Sequence, residues 1–228
     1  MINTILKTTA VTLAAFSFAV AAPVEAGGKG GKLGNGGNSG SNSSQTQTVT
    51  ETSSQLTVFE STSLKFMREE EKLARDVYLT LYERWGVPIF ANIAESEQQH
   101  TNTIAALLAK YGIEDPVKDD SVGAFTDPAF SELFTALVNL GSQSYEAALM
   151  VGTEIEELDI ADLNEQINVI NKQDIVNAYN NLLKGSRNHL RSFYSLVVEG
   201  GFEYTPKHIT QEEFDAIVNS EMETGNIN

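Results

Sequence analysis

Four long stretches of this chain repeat their apolar residues three and four apart, which commits them to helices packed on a shared core. The first carries Met67, Ala74, Val77, Tyr78, Leu81 and Trp85, and the second Phe90, Ile93, Ala94, Ile104, Leu107, Leu108 and Tyr111. The third carries Ala147, Val151, Ile155 and Leu158, and the fourth Ile175, Tyr179, Leu182, Leu183, Leu190, Phe193 and Val197. Thr62 or Ser63 caps the first, Gly86-Val87-Pro88 ends it, and the second runs from about Ile89 to Tyr111. So short a joint makes these two helices antiparallel. The third is expected from about Ser144 to Leu158 with a break around "LDIADL", and the fourth from about Gln173 to Val198. A short helix opens at Asp127-Pro128 and closes at Gly141, and "TQEEFDAIVNSE" reads as a short terminal one. There is no convincing strand pair. The expected fold is all-α, a four-helix bundle with short accessory helices.

Each stripe also carries polar side chains that a core disfavours. Glu97 falls on the second stripe, with His100 one turn on. Glu70 and Glu71 both lie near the first, and periodicity does not choose between them. Glu154 and Glu157 accompany the third, Ser186 and His189 the fourth. A buried glutamate or histidine is costly unless it is paired or bound to a metal. Carboxylate oxygens and imidazole nitrogens together suit iron, manganese or zinc, whereas a hard-cation site uses oxygen alone. Four-helix bundles build dinuclear sites from one Glu on each of two helices and a Glu-x-x-His on each of the others.

The ends read differently. Residues 1–26, "MINTILKTTAVTLAAFSFAVAAPVEA", have a short leader with Lys7, an apolar run and a small-x-small ending, the pattern of a cleavable signal peptide. The expectation is a periplasmic or secreted protein with no membrane span after cleavage at Ala26. Residues 27–58 are Gly, Asn, Ser, Thr and Gln with few apolar side chains, a flexible linker. The 228 residues include no cysteine, which excludes disulfides, thiol chemistry and iron–sulfur clusters. A net charge of −16 makes a nucleic-acid partner a poor expectation and cations a better one.

The segments "EEKLARDVY", "FANIAESEQQH", "GTEIEELDI" and "GSRNHLRSF" resemble the ferritin-like superfamily. The resemblance is strongest to an uncharacterised ferritin-like domain family of bacteria and archaea. They are similar to the di-iron domain of rubrerythrins, which shows E-x-x-A-R, I-A-x-x-E-x-x-H, G-E-x-x-E and E-x-x-H. The resemblance spans about residues 60 to 200. It makes residues 59–224 a ferritin-like helical domain. It selects Glu71, because Ala74 and Arg75 follow it, and implies Glu97, His100, Glu154, Glu157 and His189 as metal ligands. Two iron ions are the implied cofactor, with manganese or zinc as alternatives, and the implied activity is a ferroxidase or peroxidase type of oxidoreductase.

Two departures bear on this reading. Ser186 stands where the pattern has a second ligand glutamate, which leaves one metal or two open. Without cysteine there is no iron–cysteine electron carrier, so reductive turnover needs an external electron donor. Two alternatives stand beside it, a metal-binding or buffering protein without turnover and a metal-free helical interaction module. Glu69, Glu70 and Glu156 are expected to be solvated or paired with Arg68, Lys72 or Arg75. Tyr78, Tyr179 and Tyr194 are expected in the core, Trp85 in packing, and His208 at the surface.

Overall fold

Residues 55–225 are described by the computed structural model. The expected signal peptide and nearly all of the expected linker lie outside the described residues. The described chain runs through α1 (Val58–Trp85), α2 (Pro88–Lys110), α3 (Pro128–Gly141), α4 (Tyr145–Ile167), α5 (Gln173–Glu199) and α6 (Gln211–Val218). The fold is all-helical. Four long helices form a bundle in which α1 packs chiefly on α2 and α4 on α5, while α3 and α6 are accessory. No described helix is long and apolar enough to cross a membrane.

Local chemistry sets the boundaries. The helix α1 starts earlier than the expected cap at Thr62 or Ser63, because Thr57 and Glu60 form a reciprocal capping box. Thr57 Oγ1 accepts from the Glu60 amide at 3.1 Å, and the Glu60 carboxylate accepts from the Thr57 amide at 2.8 Å. Thr62 instead donates to Val58 O. Gly86, at φ 65°, turns the chain where a side chain would be strained, and Pro88 opens α2. The expected break at "LDIADL" is absent. Ile160 and Leu163 fill the core there, so α4 gains by continuing.

Apolar layers lie on either side of the middle of the bundle. Towards one end Met67, Ile104, Ile160 and Leu183 belong to a single core cluster. Towards the other, the rings of Tyr78, Phe90 and Phe193 pack on one another with centroids 5.2–6.3 Å apart. Residues 71, 97, 156 and 189 fall between these layers along their helices.

The outer face of α1 is covered by the loop between α2 and α3. Lys72, fully buried, donates to Asp76 at 2.5 Å and to Ser121 O at 2.9 Å, and lies 4.5 Å over the Phe125 ring. Arg75 pairs with Asp76 and Asp120 and donates to Gln98, so it serves this loop and not an inner carboxylate. Glu69 is buried, accepting from the Thr126 and Asp127 amides, and Glu70 and Glu156 are buried too. The expectation that these three are solvated or paired with Arg68, Lys72 or Arg75 fails: the loop encloses Glu69, Glu156 turns inward to Tyr78 and His189, and Glu70 turns to the acids of α4. Trp85 donates to Gly141 O at 2.9 Å, holding α3 to α1.

Candidate metal centre

Two triads of ligand-type side chains meet inside the bundle, Glu71–Glu97–His100 and Glu97–Glu156–His189, each with its donor atoms within 4.8 Å of one another. They share Glu97. Its Oε2 lies 2.8 Å from His100 Nδ1, and its Oε1 lies 2.7 Å from His189 Nδ1. Glu71 Oε2 is 3.2 Å from His100 Nδ1, and Glu156 Oε2 is 3.3 Å from His189 Nδ1. The imidazoles stack with centroids 5.6 Å apart. The pattern has a pseudo-symmetry: each histidine faces one oxygen of Glu97 and one further carboxylate.

The surroundings orient these groups. His189 Nε2 is 2.9 Å from Ser96 Oγ, which leaves Nδ1 facing inward. Tyr78 donates to Glu156 Oε1 at 2.6 Å. Gly185 of α5 makes room for His100, since a Cβ there would lie 2.6 Å from both Cε1 and Nε2 of the ring. Ser186, completely buried, donates to Asp159 and to Leu182 O, so its hydroxyl is committed within α4 and α5.

Electrostatics leave the group short of positive charge. Burial pushes the Glu71 carboxyl up to about 8, against the pull of His100. Burial also raises Glu156 and, with Glu71, drives Asp159 well above the carboxylate range. For Glu97 burial acts upward, but His189 and His100 outweigh it and hold the carboxyl below its usual range. Burial would lower both histidines, yet the carboxylates dominate. His189 is pushed up to about 10 by Glu97 and Glu156, and His100 well above its ordinary value by Glu97 and Glu71. Glu71 Oε1 and Asp159 Oδ1 are buried without a hydrogen-bond partner, and Glu97 Oε1 has only the contested His189 Nδ1, which also faces Glu156. Orphaned atoms of this kind are costly unless a ligand satisfies them. A pair of divalent cations fits that set in charge and donor type.

The structure brings Glu71, Glu97, His100 and His189 together. Glu154 and Glu157, expected beside them, point elsewhere. Glu157 accepts from Tyr204 Oη at 2.5 Å and from the amides of Lys207, His208 and Ile209. Glu154 takes the Lys207 ammonium and lies 3.7 Å from His208 Nε2. These two carboxylates pin the segment between α5 and α6, and His208, expected at the surface, is drawn largely inside with it. Glu156 is the residue that faces the histidines. Sequence reasoning missed it because α4 is buried all round from Val151 to Glu157, so no solvent face orients it. The row Glu156-x-x-Asp159 was the available signal.

Residues 60–221 match the DUF2202 family, described as an uncharacterized protein domain. The chain is 54% identical over 159 residues to uncharacterized protein MJ0754 of Methanocaldococcus jannaschii, a match covering 70% of this chain and 86% of that protein. The crystal structure of hypothetical protein MJ0754 from Methanococcus jannaschii DSM 2661 superposes with a TM-score of 0.73 at 52% identity, covering 74% of this chain and 96% of that one.

Proposed function

We propose, for a chain that belongs to the DUF2202 domain family, that the buried triads form a dinuclear metal centre of the ferritin-like, rubrerythrin-related kind. The observation carrying this reading is Glu97, whose two oxygens each face a different histidine deep in the bundle. Glu71 and His100 would complete one cation position, Glu156 and His189 the other. Iron fits this donor set, with manganese or zinc as alternatives. Bound iron supplies redox chemistry on Fe(II), peroxide or dioxygen, and export by the expected leader belongs to the same proposal.

The chain's own residues prepare the site. Glu97, Glu71 and Glu156 offer negative charge in a dry interior, and the protons now shared among them and the histidines leave when cations bind. The Tyr78 hydroxyl restrains Glu156, and the aromatic layer around it limits water on that side. An external donor would supply electrons to any reductive cycle.

A second reading, metal binding without turnover, is favoured by Ser186, which is committed to Asp159 and offers no carboxylate. Anaerobic loading of the full chain with Fe(II), followed by elemental analysis, tests both. About two ions per chain are expected, with loss in Glu97→Ala and Glu156→Gln and retention in Glu154→Gln. No bound metal in a folded protein would sink the proposal and leave the helical interaction module. Peroxide-dependent oxidation of the bound Fe(II) separates turnover from storage.

A further inference from the structure

Acidic residues recur at every third position of α4, Glu156, Asp159, Asp162 and Glu165, and each step turns about 60° further round the helix, so the row winds from its inner side to its outer side. At 1.5 Å per residue the row covers about 13 Å of helix. Its burial changes steadily, from 2% exposure at Glu156 and 7% at Asp159 to half-buried Asp162 and exposed Glu165. Glu70 of α1 lies close to the Asp162 and Asp159 carboxyls of this row. It is itself 93% buried, being 7% exposed.

An ordinary salt-bridge network does not account for these residues. None of Glu70, Asp159 and Asp162 makes an ion pair among the described residues. Glu70 Oε2 and Asp159 Oδ1 are buried with no hydrogen-bond partner. The basic group acting on Asp162 is the His208 imidazole, which itself lies beside Glu154. Buried acids stacked against each other are costly. A mobile cation passing along them relieves that cost at each step, and a charged cleft raises the local cation concentration.

We propose that Glu165, Asp162, Glu70 and Asp159 form the route by which divalent cations pass from solvent to the buried carboxylate–histidine site. This rests on the metal-centre reading given above. Glu165 and Asp162 gather the ion at the mouth. Glu70 and Asp159, with their free oxygens, carry it inward to Glu71 and Glu156.

Co(II) serves as the probe, because its visible absorption reports entry into a nitrogen–oxygen site in real time. Stopped-flow mixing of the metal-free full chain with Co(II) gives the loading rate, and elemental analysis gives the final occupancy. The Asp162→Asn/Glu165→Gln double variant should load about tenfold more slowly, within the range of electrostatic rate effects, while reaching the wild-type occupancy. Glu132→Gln, which removes an exposed acid of α3, should load at the wild-type rate. Should the double variant unfold, Glu165→Gln alone, on the surface, should still slow loading measurably. Equal rates for the wild type and the route variants, or an equal slowing in Glu132→Gln, overturn the route while leaving the metal centre standing. No Co(II) uptake by the wild type overturns the metal centre and the route with it.

Discussion

At Gly185 two single-residue effects oppose each other. Alanine in a helix interior is usually better than glycine by about 1 kcal/mol. Here the added methyl would sit 2.6 Å from the His100 ring, and overpacking of that kind typically costs about 1–3 kcal/mol. The His100 ring cannot retreat without leaving Glu71 and Glu97, so the clash wins. Gly185→Ala is therefore expected to lower thermal stability and to weaken metal binding, read by denaturant melts and by a metal titration of the same sample. A more stable variant with unchanged metal affinity would show that the ring has room to spare. Nothing in the sequence marks this glycine, since the need for it lies in the approach of α2 to α5. Glu97 and His100 were visible because their helix has a clear apolar stripe and an exposed opposite face. Glu156 was not, because its neighbours on α4 are buried in every direction.

The elements follow the same division between local and distant causes. The four long helices could be read from spacing alone, and their ends largely from glycine, proline and hydroxyl caps. The start of α1 and the continuity of α4 could not be, because each depends on a partner: Glu60 folding back on Thr57, and core contacts at Ile160 and Leu163. The segment before α6 is the clearest case. Its order comes from Glu157, which accepts three successive backbone amides and a tyrosine hydroxyl. Removing such an acceptor strands buried donors at about 1–3 kcal/mol apiece. Glu157→Ala should thus destabilise the domain by about 3 kcal/mol or more. Hydrogen exchange should accelerate at the amides of Lys207, His208 and Ile209 first. Unchanged exchange at those three amides would mean that another contact holds the segment.

For the whole molecule, the protons stored in the metal-free site set how stability varies with pH. The folded chain keeps Glu71 protonated up to about 8, against an ordinary value of 4.5, and His189 charged up to about 10, against 6.5. Between about pH 5 and 10 the folded state binds more protons than the unfolded one, so stability falls as pH rises. Glu97 works in the opposite sense, but its contribution is lost only as pH falls below the carboxylate range, outside that window. The metal-free protein should melt at progressively lower temperature at pH 5, 7 and 9. With cations in place of those protons the decline should flatten or reverse. A metal-free melting temperature independent of pH across that span would contradict this account of the site's charge. Composition pointed to cations as partners from the outset. The placement of Lys72 and Arg75 away from the acidic centre, which keeps that charge uncompensated, emerged only from the folded chain.

In the proposed dinuclear centre, Glu97 links the two cation positions thermodynamically. The carboxylate that closes one triad is also a member of the other, so the first ion to arrive would fix the rotamer and the charge its neighbour will meet. Whatever the first ion does to the affinity for the second, the second does equally to the first. Binding isotherms should then depart from two independent sites, and exchanging one metal should alter the hold on the other. In a bundle arranged around a single shared side chain, neither position has an affinity of its own.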